Sequence, residues 1–219
     1  MSRTTKISAA DGHELDVYVR VPAGTPRAGL VVLQEIFGLN QHIRSVADSF
    51  ADAGFFAVAP ALFDRVQRNA EFDYDQLGPG REVVARLDER ETMLDIAAAI
   101  SVASEPGRVL VVGYCWGGTL AYQAASRFPV LAAACYYGRG IVKMLSETPH
   151  CPVIYHYGME DPHIPLDDVK RVRAVRSEGI FHLYEGAGHG FNCESRKDYR
   201  PAAAALARRR TLSLFDAVL

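Results

Sequence analysis

The sequence predicts an α/β fold with a mostly parallel central sheet and helices on both faces, in a single domain over residues 1–219. Three observations carry this. Short aliphatic and β-branched runs at 29–35, 55–59, 108–114, 130–137, 151–157 and 180–184 read as strands. Several of these are apolar throughout, the pattern of strands buried on both faces, which parallel sheets need. Between them lie segments with apolar residues at helical spacing, long enough to serve as crossover helices.

The elements follow in order. Residues 4–9 and 14–21 alternate apolar and polar around Asp11-Gly12, which predicts an antiparallel hairpin with one wet face. After the strand at 29–35, a short loop ends at Asn40, a good N-cap. Ile43, Val46, Ala47, Phe50 and Ala51 then mark a helix that Gly54 stops. Pro60 closes the next strand. Residues 64–80 are polar, contain Gly78-Pro79-Gly80 and read as a surface loop. A helix is expected over 81–104, ended by Pro106-Gly107. Pro165-Leu-Asp167-Asp168 opens another helix that Gly179 closes, and a final helix spans roughly 200–218.

Composition excludes several classes. Hydrophobic content is 49%, charged content 23% and formal net charge −2, so no basic field invites nucleic acid or anionic lipid. No apolar run approaches the roughly 20 residues of a membrane span, and the N-terminal residues lack the apolar core of a signal peptide. Four scattered cysteines without a C-x-x-C pair fit a reducing, cytoplasmic setting and argue against a structural zinc site. No histidine pair has metal-binding spacing, and neither metal nor cofactor is expected.

The chemistry centres on Gly113-Tyr-Cys115-Trp-Gly117, a Gly-x-nucleophile-x-Gly elbow between a strand and a helix. Such a turn lifts the nucleophile clear of the sheet, and the helix N-terminus behind it favours a thiolate and an oxyanion. The competing reading is a glycine-rich turn with an inert buried thiol. In parallel sheets the site lies at the carboxyl ends of strands, and two further loops of that kind carry acid and base types. Asp161 follows the strand at 151–157, with Glu160 and Asp168 as alternatives for the acid. His189 lies between glycines after the strand at 180–184, with His156, His163 and His182 as weaker choices. The order nucleophile, acid, histidine is that of α/β-hydrolases.

Five motifs in order, Gln34-Glu-Ile-Phe-Gly38, Gly113-Tyr-Cys-Trp-Gly-Gly118, Tyr136-Tyr-Gly138, Gly158-Met-Glu-Asp-Pro-His-Ile-Pro165 and Ala187-Gly-His-Gly-Phe191, resemble the dienelactone hydrolase (carboxymethylenebutenolidase) family of the α/β-hydrolase fold. The resemblance implies a Cys115, Asp161, His189 triad and an oxyanion hole made by the Ile36 and Trp116 backbone N–H groups. It also implies a role for Glu35 in controlling when the thiol ionises, the alternative being a structural ion pair. Arg81, with Arg86 as competitor, matches one arginine that holds the substrate carboxylate. The second such position is Cys193 here, with Arg196 three further on, and a thiol cannot make a bidentate carboxylate bond. Phe37 and Tyr137, with Tyr74 and Trp116, are candidates for the pocket wall.

The expected reaction is attack of the Cys115 thiolate on a small-molecule ester or lactone, through a thioester that His189 and water resolve. Its rivals are an esterase or thioesterase of another substrate class on the same fold, a cysteine protease or redox sensor on a different scaffold, and a catalytically silent binding domain. A monomer or small homo-oligomer is expected.

Overall fold

The computed structural model describes residues 2–219, and the chain divides into two compact units that meet between Leu110 and Val111. In the first unit β1 (Ser2–Ser8) and β2 (Glu14–Arg20) form the expected antiparallel hairpin, with Lys6 opposite Asp16. Inward-facing Leu15, Val17 and Val19 are buried while their neighbours on β2 are not, the alternation of a sheet with one wet face. β2 runs antiparallel to β4 (Phe56–Pro60), and β4 runs parallel to β3 (Gly29–Leu33), giving the order β1-β2-β4-β3. Every residue of β3 and β4 is buried, because α1 (Gln41–Asp52) and α3 (Glu89–Ala103) pack on both strands. The Asn40 side chain accepts the Ile43 N–H at 3.2 Å to start α1, and Gly54, at φ +94°, lets the chain turn away from it.

Two expectations fail in this unit. Residues 64–80 are not wholly a surface loop. A 3₁₀ turn covers Leu62–Arg65, and buried Asp64 accepts the N–H groups of Asp16 (2.9 Å) and Asn69 (3.1 Å). Gly78, Pro79 and Gly80 fall in the first turn of α2 (Leu77–Arg86), where proline forfeits no intrahelical bond. Nor is the stretch 81–104 one helix. It breaks at Leu87 and Asp88, both extended, and the Asp88 carboxylate accepts the Glu91 N–H at 3.0 Å to cap α3 afresh.

β5 (Val109–Tyr114) crosses the boundary between the units. With β6 (Ala133–Tyr136), β7 (Val153–Gly158) and β8 (Ile180–Tyr184) it forms a parallel set in that order. β6 is shorter than the expected 130–137: it begins only at Ala133, and Tyr137 leaves the strand at φ +39°. α4 (Trp116–Arg127) packs on β6, and α6 (Pro201–Val218) packs on β7. α5 (Leu166–Val175) ends before Gly179, because buried Arg176 turns inward. Its guanidinium donates to the Tyr122 hydroxyl and the Leu145 carbonyl, each at 2.7 Å, and to the Glu147 carbonyl. A buried polar chain ties α6 to the strands. Thr211 Oγ1 meets the Tyr136 hydroxyl (2.9 Å) and His156 Nε2 (3.0 Å), and His156 Nδ1 meets the Tyr184 hydroxyl (2.8 Å).

The architecture is α/β, with mixed, mostly parallel strands and helices packed against them, as the sequence predicts. No helix among the described residues is long and apolar enough to cross a membrane.

Candidate active site

Cys115 stands between β5 and α4 at φ 56°, ψ −113°, a conformation that costs an L-residue energy and that only surrounding structure can hold. Two glycines make it possible. A Cβ on Gly113 would lie 1.9 Å from the Gly117 carbonyl oxygen, and one on Gly118 would lie 2.5 Å from that of Tyr136. The Cys115 N–H donates to Tyr136 O at 2.9 Å, fixing the elbow to β6. The thiol is partly exposed at the N-terminus of α4, where the helix dipole favours negative charge on sulfur.

The acid and the base reach the elbow because their loops are joined. After β7 and β8 the chain exchanges backbone bonds, Met159 N–H to Tyr184 O and Glu160 N–H to Ala187 O, both 2.9 Å. Gly158 allows this, since a Cβ there would come within 2.3 Å of Ala187 O. Gly186 and Gly190, at φ +66° and +78°, shape the histidine loop. The buried Asp161 carboxylate uses both oxygens: Oδ1 accepts the His163 N–H at 2.8 Å, and Oδ2 takes His189 Nδ1 at 2.7 Å. His189 Nε2 then lies 3.1 Å from Cys115 Sγ.

Burial opposes a charge on the His189 ring. The Cys115 sulfur and the Asp161 carboxylate outweigh it and push the imidazole pKa up to about 10. The raised value favours a protonated imidazole beside the sulfur. The alternatives weighed for the acid and base, His163 apart, lie elsewhere. Glu160 is exposed, and Asp168 pairs with Arg171 on α5 at 3.3 Å. His156 is sealed in the Thr211 chain, and burial first, then the His182 and Arg210 charges, holds its pKa well below normal. His182 is also shifted down, by burial and then Arg210.

The other candidates fall in both units. Glu35 and Phe37 are fully buried just after β3, on either side of Ile36. Phe37 meets Tyr74 edge-on at 4.6 Å, and its carbonyl accepts the Phe72 N–H at 3.0 Å, so the 64–80 segment is tied to this loop. Gly80 brings α2 against the same loop, a Cβ there falling 2.0 Å from Ile36 O. Arg81 follows Gly80 and is exposed, as is Arg86. Trp116 opens α4, half-exposed. Cys193 is buried, and Arg196 lies over the histidine loop, its Nε 2.6 Å from where a Gly190 Cβ would be. Tyr137 is fully buried with its ring centroid 5.1 Å from that of His189.

His163, in the sequence only a weaker choice for the base, lies beside that base. Its ring meets His189 edge-on at 5.2 Å. The signal available was its place two residues after an aspartate in a turn, where the aspartate side chain commonly takes that backbone N–H.

Comparison with known proteins places these features in a lineage. The model for the dienelactone hydrolase family matches residues 15–219. A carboxymethylenebutenolidase of Pseudomonas putida is 35% identical over 223 residues, covering 94% of this chain and 92% of that protein. The crystal structure of a Klebsiella pneumoniae protein assigned as a dienelactone hydrolase superposes with a TM-score of 0.87 at 27% identity, covering 99% of each chain. A dienelactone hydrolase-like promiscuous phosphotriesterase from metagenomic libraries shares the fold, with a TM-score of 0.77 at 22% identity over 99% of this chain and 98% of that one.

Proposed function

Because the chain belongs to the dienelactone hydrolase family of carboxylic ester hydrolases, we propose that it hydrolyses small-molecule esters or lactones through a thioester on Cys115. The observation that carries this reading is the continuous contact from Asp161 Oδ2 to His189 Nδ1 (2.7 Å) and from His189 Nε2 to Cys115 Sγ (3.1 Å).

In the first half-reaction the thiolate forms a C–S bond to the substrate carbonyl, whose electron pair moves to oxygen. The backbone N–H groups of Ile36 and Trp116, assigned from the family resemblance, receive that oxyanion; such a donor is worth about 3 kcal/mol in comparable sites. On collapse the C–O bond breaks, and the leaving oxygen takes the Nε2 proton of His189. The now neutral imidazole, kept in one tautomer by Asp161, accepts a proton from water as that water attacks the thioester. The C–S bond breaks, the acid departs, and the thiolate–imidazolium pair is restored. Thiolate is itself a good leaving group, so attack on an ester with a poor leaving group reverts. The site therefore favours enol lactones and aryl esters over alkyl esters and amides.

Glu35 would act on the ionisation of the thiol and Arg81 on a substrate carboxylate, while Phe37 and Tyr137 would serve as walls. Buried Cys193 in place of a second cation supports a second reading, an esterase for less acidic substrates on the same triad. Turnover of p-nitrophenyl acetate and of enol lactones by the wild type and by Cys115→Ala tests the proposal. Hydrolysis is expected to vanish in the variant, and persistence there refutes the thioester route. Arg81→Ala, assayed on acidic against neutral esters, separates the two readings. Selective loss on acidic esters favours the first, and uniform behaviour favours the second.

A further inference from the structure

We propose that His163 is a positioning residue for the triad, its ring forming a wall that keeps the His189 imidazole aimed at the sulfur. The proposal rests on the triad reading above and goes beyond it in giving a role to a side chain outside the triad.

The two nitrogens of His189 are each committed, Nδ1 to Asp161 at 2.7 Å and Nε2 to Cys115 at 3.1 Å. The two anchors are not equally lasting. Once the thiol is acylated, sulfur carries no charge and no proton, and its hold on Nε2 ends. During deacylation the ring must nevertheless stay in place to take a proton from water. Asp161 fixes one edge of it, and the tilt that this single bond leaves open, before acylation as well as after it, is limited by packing. Two rings supply that packing. His163 meets His189 nearly perpendicular, at 84° with centroids 5.2 Å apart, and Tyr137 lies 5.1 Å away at 59°.

His163 is placed for this by its own backbone, whose N–H donates to Asp161 Oδ1 at 2.8 Å. One residue thus sets the carboxylate with its main chain and flanks the imidazole with its side chain. Tyr137 is set from the other strand end by its N–H bond to His156 O at 2.8 Å, at φ +39°, and by an edge contact with Phe191 at 5.5 Å. Because Tyr137 is fully buried and His163 only half-buried, His163 is the wall that can be altered without opening the core.

The test compares the wild type, His163→Ala and His163→Phe in two assays. The first is steady-state hydrolysis of p-nitrophenyl acetate. The second is alkylation of the Cys115 peptide by iodoacetamide, read by mass spectrometry, which needs no ester turnover and distinguishes this thiol from Cys135, Cys151 and Cys193. Removing an edge-to-face ring contact predicts a loss of about three- to tenfold in kcat, with KM little changed, and a similar slowing of alkylation. Phenylalanine restores the flat wall and is expected to recover both. A mere packing role would lower the melting temperature without this kcat-selective loss and rescue. An alanine variant alkylated at the wild-type rate, or a phenylalanine variant no better than alanine, overturns the proposal. Absence of Cys115-dependent hydrolysis in the wild type would instead refute the triad reading, and the alkylation series would still decide the part played by His163.

Discussion

At the residue scale, the question is which group carries the proton in the resting site. A serine-type triad keeps its histidine neutral, so that activity rises as the imidazole loses its proton. Here burial disfavours the charge, yet the sulfur and the Asp161 carboxylate hold the His189 proton up to a pKa of about 10. The imidazolium is needed to protonate the leaving oxygen, so the sign is reversed: kcat/KM is expected to decline as pH rises through this raised value. Asp161→Asn removes a group that holds the proton and should move that alkaline limb to lower pH while cutting kcat by about a hundredfold or more. A pH–rate profile of both proteins checks this, and a limb that ignores the substitution contradicts it.

At the element scale, local chemistry overrides pattern in two places, and both bear on what the sequence could reveal. Gly78-Pro79-Gly80 looks like a helix breaker, but a helix tolerates all three in its first turn, and Gly80 is there because α2 touches the Ile36 carbonyl. The apolar period runs on past Asp88, hiding the break between α2 and α3 that its side-chain cap creates. Asp88→Ala is expected to cost about 1 kcal/mol, measured by urea denaturation, without loss of activity. The buried strands and the elbow were legible because their signals are local: unbroken apolar runs, and glycines at fixed offsets from Cys115. Asp161 and His189 were legible because each follows a strand in the required order. The ring contacts of His163 and the left-handed backbone of Tyr137 were not, since both arise from tertiary packing. The Thr211 chain is similar, four polar side chains far apart in sequence (Thr211, Tyr136, His156 and Tyr184) meeting beneath α6. Thr211→Val leaves the Tyr136 hydroxyl and His156 short of a partner and is expected to cost about 1–3 kcal/mol, seen as a lower melting temperature.

At the scale of the whole molecule, titration of the histidines shapes stability against pH. His156 and His182 have folded pKa values depressed chiefly by burial. They favour the folded state fully above the unfolded value of about 6.5, and that contribution is lost as pH falls below it. His189 has the opposite sign. Its raised folded pKa contributes stability that is fully present below about 6.5 and is lost as pH rises toward about 10. Unfolding free energy should therefore rise between pH 5 and 6.5, with a slope of up to about 1.4 kcal/mol per pH unit from the buried His156. Denaturation curves across that range test this, and a flat profile would contradict the burial of His156 as a neutral ring. The central claim concerns a covalent bond, and trapping it is the direct measurement. Acid-quenched p-nitrophenyl acetate reactions, digested and read by mass spectrometry, should show one acetyl group on the Cys115 peptide that hydroxylamine removes. It should be absent from Cys115→Ala and, once formed, decay more slowly when His189 is replaced by glutamine. An acyl group on another residue, or full turnover without any acyl-Cys115, would contradict the account.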